Sequence, residues 1–160
     1  MHTKHGDYYN KLTETPLIPL HFQPSIETVN DYAEDTVRIM KKMYGADLSD
    51  LAPSTLKRID STLNDWKAGG ATTPQVSKSI YAFGAFAGSV LLKARGGEWF
   101  KPDQPQNENN FWEYPFLSVR LTTGAVWRPI TLGFQIMEGE PNASYWKSFI
   151  DLLSSAKPAQ

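Results

Sequence analysis

TPQVSKSIYAFGAFAGSVLLKARGGEW, residues 73–99, is the stretch whose reading decides the fold. Thr73 suits an N-cap, and Pro74 suits the first helical position, where a missing N–H leaves no hydrogen bond unmade. Lys93 and Arg95 fall in the last turn and Gly96 just beyond it, the chemistry expected at a helix C-terminus. Between these signals, Ile80 to Leu92 is apolar on nearly every face, interrupted only by Gly84, Gly88 and Ser89. A helix that is apolar all round is normally buried. Gly84 and Gly88 are four apart and share one face, where the absence of a side chain lets another element approach closely. Each weakens an isolated helix by roughly 1 kcal/mol relative to Ala, so packing is expected to need the space. No strand signal precedes them, and they are read as structural glycines rather than as a phosphate-binding loop. Gly96 and Gly97 release the chain from the helix end and are placed in the same structural class.

Working outward from that helix, the chain reads as an α+β protein: three N-terminal helices, a small antiparallel sheet and a C-terminal helix. Ser25 begins the first helix, with Ile26, Val29, Ala33, Val37, Met40 and Tyr44 on one face and Gly45 as its stop. The second runs from about Ser54 to Lys67, with Leu56, Ile59, Leu63 and Trp66 in a stripe and Lys57, Arg58, Asp60 and Asp65 off it. After Gly97 the period shortens. Glu98–Lys101 reads as a short strand, and Phe116–Thr122 alternates as a half-buried one. Thr123-Gly124 reads as a turn, with Ala125–Arg128 as the hairpin partner. Ile130–Met137 is too short for periodicity to choose between helix and strand. Asn142 or Ser144 then caps a final amphipathic helix, with Tyr145, Trp146, Phe149, Leu152 and Leu153 inward and Lys147 and Asp151 outward. Residues 1–24 read as an extended N-terminal arm, because Pro16, Pro19 and Pro24 exclude a continuous helix. Residues 25–156 are expected to form a single domain.

Composition removes several function classes. The 160 residues carry 16 basic and 17 acidic side chains, a net charge of −1 with no basic face, which argues against a nucleic-acid partner and against an anionic membrane surface. There is no cysteine, so disulfides, thiolate nucleophiles and zinc–thiolate sites are absent. The N-terminus lacks a signal-peptide apolar run, and the apolar core of Ile80–Leu92 falls short of the roughly 20 residues that span a bilayer. These features lead to the expectation of a soluble, cytoplasmic protein. The three histidines, His2, His5 and His21, all lie in the arm, with no helical i, i+4 pair, and no metal or cofactor is expected. No serine stands in a nucleophile-elbow context to partner His21. The carboxylates Asp31, Glu34 and Asp35 suit a helix start, and Asp47, Asp50, Glu138 and Glu140 lie in turns without calcium-loop spacing. No catalytic residue is assigned.

Gly84-Ala85-Phe86-Ala87-Gly88-Ser89-Val90-Leu91, followed by Gly96-Gly97-Glu98-Trp99, resembles a pattern seen in a family of small uncharacterised bacterial proteins. There a buried helix reading G-A-aromatic-x-G-E-V-L leads into G-G-x-W, a strand containing P-F follows, and an aromatic C-terminal helix comes last. Pro115-Phe116 and Tyr145-Trp146 fit that order, over about residues 30–153. Ser89 stands where the family pattern carries an acid, so chemistry that depends on that acid is not implied here. The resemblance implies a fold and an association with immunity or accessory proteins.

The richest functional signal is aromatic. Trp99, Phe100, Phe111, Trp112, Tyr114, Phe116 and Trp127 fall within 29 residues. Strand alternation cannot send every ring inward, so Trp99, Trp112, Tyr114 and Trp127, with Arg120 and Arg128 nearby, are candidates for a binding surface. Aromatic and Arg side chains dominate binding hot spots. The competing reading is that these rings cover a small sheet. The leading expectation is a protein-interaction module, an immunity or accessory protein that binds and masks a partner protein of unknown identity. The alternative is a small enzyme or ligand-binding protein with a cleft between the sheet and the buried helix, using Glu98, Arg120 and Arg128. A third reading is a self-associating structural protein.

Overall fold

The structure, a computed structural model, describes residues 25–102 and 116–155. The expected arm at 1–24, the histidines within it, and Phe111, Trp112 and Tyr114 lie outside the described residues.

Among the described residues, five helices and a three-stranded antiparallel sheet make an α+β fold: α1 Val29–Tyr44, α2 Thr55–Ala68, α3 Thr73–Arg95, β1 Gly97–Phe100, β2 Ser118–Leu121, β3 Val126–Trp127, α4 Pro129–Met137 and α5 Tyr145–Ser155. The order differs from expectation at one place. The segment that periodicity left undecided is helix α4, so two helices rather than one follow the sheet. Pro129 opens it with its φ already suited to a helix, and Ile130, Gly133, Phe134, Ile136 and Met137 are buried. A helix this short and buried on most of its surface shows no amphipathic period.

α3 occupies the centre. From Ile80 to Gly88 every residue is buried, as its composition predicts. Its cap lies one residue earlier than expected: Thr72, not Thr73, is the N-cap. Gln75 reaches back so that its Oε1 accepts the Thr72 N–H at 3.0 Å, closing a capping box. Ser25 likewise does not start α1. Its side chain and that of Thr28 bond to each other's backbone N–H, building a turn that delivers the chain to Val29.

Rings join the helices to this centre. Tyr32 of α1 meets Tyr81 of α3 edge-on, at 5.1 Å between centroids and 70°. Trp66 of α2 stacks on Phe83 at 5.2 Å, while its indole N–H donates to the Tyr44 hydroxyl at 2.9 Å. Burial drives Tyr81 well above the ordinary tyrosine range, with a smaller contribution from Tyr32. At the far end of α4, the Lys67 ammonium donates to the Ile136 carbonyl at 3.1 Å, satisfying a carbonyl in the last turn.

The glycine face of α3 sets where everything else sits. A Cβ on Gly84 would lie 2.6 Å from the Ile130 Cα, so α4 crosses α3 at backbone contact. A Cβ on Gly88 would run into the Trp99 ring and stand 3.2 Å from Val119, so the same face also seats the sheet. The strands follow order β1-β2-β3, with Trp99 opposite Val119 and Val119 opposite Trp127, all three buried. Gly97 is needed for a separate reason: at φ +148° its Cβ would collide with the Arg120 carbonyl oxygen across the strand pair. Phe116, leading into β2, stacks on Phe134 of α4 at 4.8 Å and ties the two layers together.

Gly84→Ala provides a test whose sign is informative. In an open helix the change adds up to ~1 kcal/mol of helix propensity. Here the new methyl meets backbone, and overpacking of about 1–3 kcal/mol should outweigh that gain. Thermal unfolding is expected to show a lower Tm; a raised Tm would mean that α4 does not rest on Gly84.

Candidate functional site

Alternation along the strands divides the candidate residues. Trp99, Val119 and Trp127 point toward the helices, so their neighbours along the strands, Glu98, Arg120 and Val126, stand on the opposite, outward face of the sheet. Trp99 and Trp127 are therefore core residues, 9% and 5% exposed, and lie off the outward face of the sheet; Trp127 reaches the surface only at a depression beside β3. Their size explains this: Trp99 fills the groove left by Gly88, and Trp127 packs edge-on against Tyr145 and Phe149 of α5. The space between the sheet and α3, where a cleft was one expectation, holds the Trp99 ring and Val119. Trp112 and Tyr114 are outside the described residues.

Arg120 is where the outward face gains definition. Its guanidinium lies over the Phe100 ring, 4.1 Å from the centroid, and one nitrogen is 3.8 Å from the Glu98 carboxylate. The two charged side chains are 48% and 67% exposed, so their mutual attraction contributes little to stability. What this contact does is hold a cation over an aromatic ring on the outward face. Val126, opposite Arg120 in the β2–β3 register, is 43% exposed and carries this face toward the end of the hairpin.

Beyond Val126 the surface drops into an open trough between β3, α4 and α5. It consists of two adjoining depressions with cavity volumes of 270 and 410 Å³ that share Leu132, Gln135 and Ser148. Val126, Trp127 and Arg128 line the nearer one; Asn142 and Lys147 line the farther. The walls are placed by local chemistry. On α5, Ser144, Lys147, Ser148 and Asp151 follow the i, i+3, i+4, i+7 spacing of one helix face. On α4, Leu132 and Gln135 are three apart. The floor is pinned where the Trp127 indole N–H donates to Ser148 Oγ at 2.7 Å.

A carboxylate from a distant part of the chain holds the α5 wall. Asp60 of α2 accepts hydrogen bonds from Ser144 Oγ at 2.8 Å, the Tyr145 N–H at 2.7 Å and the Trp146 N–H at 3.0 Å. Ser144 Oγ itself accepts the Lys147 N–H at 3.2 Å. Three of the orphan N–H groups that open a helix are thus satisfied, two of them by a residue some 85 positions away. The Tyr145 hydroxyl, buried against Gly133, donates to the Pro129 carbonyl at 2.8 Å. Desolvation raises its pKa well above the tyrosine norm, with the nearby Asp60 charge adding to the effect. The raised tyrosines, Tyr81 and Tyr145, belong to the core and not to the trough.

Of the residues singled out from sequence, the structure brings Glu98 and Arg120 together and sets Arg128 at the trough. The surface also uses Phe100, Val126, Leu132, Gln135 and Lys147, of which helical spacing gives only the outward placement of Lys147. Asp60 lies off its helix's apolar stripe, and nothing in its own stretch of sequence names its partner. Among the described residues no group of three or more His, Asp or Glu side chains gathers as metal ligands. No helix is long and apolar enough to cross a membrane among those residues. Comparison with family models, curated proteins and solved structures finds no match.

Asp60→Ala removes the acceptor for two backbone donors and one hydroxyl at the α5 start. Charge-assisted bonds of this kind support an expected loss of about 1–3 kcal/mol in urea unfolding. Hydrogen exchange should show faster exchange at Tyr145 and Trp146 than at Ile80–Gly88, and unchanged protection of α5 would contradict the capping role.

Proposed function

We propose that the protein is an interaction module that binds and masks a partner protein, an immunity or accessory protein of the kind the sequence resemblance implies. One observation carries the reading. Arg120, seated on Phe100 beside Glu98, continues through exposed Val126 into an open trough, giving a single outward surface of mixed charge with an aromatic–Arg centre. Arg and aromatic side chains contribute disproportionately to binding energy. The contact also limits the rotamer freedom Arg120 has left to lose on binding, which reduces the entropy opposing association. Enzymatic sites instead gather ionisable groups in an enclosing pocket. The outward surface is open, and among the described residues the groups with strongly shifted pKa values are buried tyrosines elsewhere.

The test is a paired substitution. Arg120→Ala with Val126→Thr changes two exposed side chains without placing like charges opposite Glu98, so Tm should move by no more than a few degrees. Cross-linking and affinity capture from the native cell should recover a partner with the wild-type chain and lose it with the double variant. Undiminished capture by a folded double variant would remove the sheet face from the interaction.

A further inference from the structure

We draw no further inference here: the strongest candidate, the open trough between β3, α4 and α5, is lined by the cations Arg128 and Lys147 and the acids Glu140 and Asp151 alike, so its charge selects no occupant and nothing in the structure shows what covers it.

Discussion

The structure depends on close approach at the glycine face of α3. Gly84 lets the α4 backbone reach the helix, and Gly88, one turn on, lets the Trp99 ring lie against it. A single four-residue step therefore places both a helix and a sheet. Because β1 is anchored through Trp99, the alternation of the strands sends Glu98 and Arg120 outward. Because α4 is anchored at Ile130, Arg128 is left at the rim just before it. The outward surface is in this sense the far side of a packing decision made in the core.

Much of the fold was legible for the same reason that it is stable. The nearly all-apolar run Ile80–Leu92, within a segment bounded by Pro74 and Gly96, has few alternatives to burial, and α1, α2 and α5 carry stripes that demand a partner. β1, β2 and the Thr123-Gly124 hairpin follow from alternation and turn chemistry. α4 was illegible because Ile130–Met137 is buried on most of its surface, which erases the contrast that periodicity relies on. The cap of α3 lies one residue from the expected Thr73 because Thr72 and Thr73 are equivalent by type; only the reach of Gln75 separates them.

The candidate surface was harder to read. Aromatic richness drew attention to Trp99 and Trp127, yet both are core residues, because a glycine face and an aromatic helix provide room for large rings. The smaller and more polar neighbours carry the surface instead. Their importance comes from pairing across strands, as with Arg120 over Phe100, or from a tertiary cap such as Asp60 at the start of α5, and neither relation has a local signature. Ser89 illustrates the other side of the argument. Its hydroxyl donates to the Ala85 carbonyl at 3.0 Å within α3, an ordinary helix contact that a polar residue in an apolar run makes without any functional role.

The central claim, that the ring of Trp99 and the bare Cα of Gly88 are matched, is tested most directly by a double-mutant cycle on unfolding free energy. Gly88→Ala alone introduces a methyl where the ring lies, and Trp99→Leu alone leaves that space underfilled. Combined, the two changes should compensate, with a favourable coupling of about 0.5–3 kcal/mol. Additive losses, with no coupling between the two sites, would contradict the account.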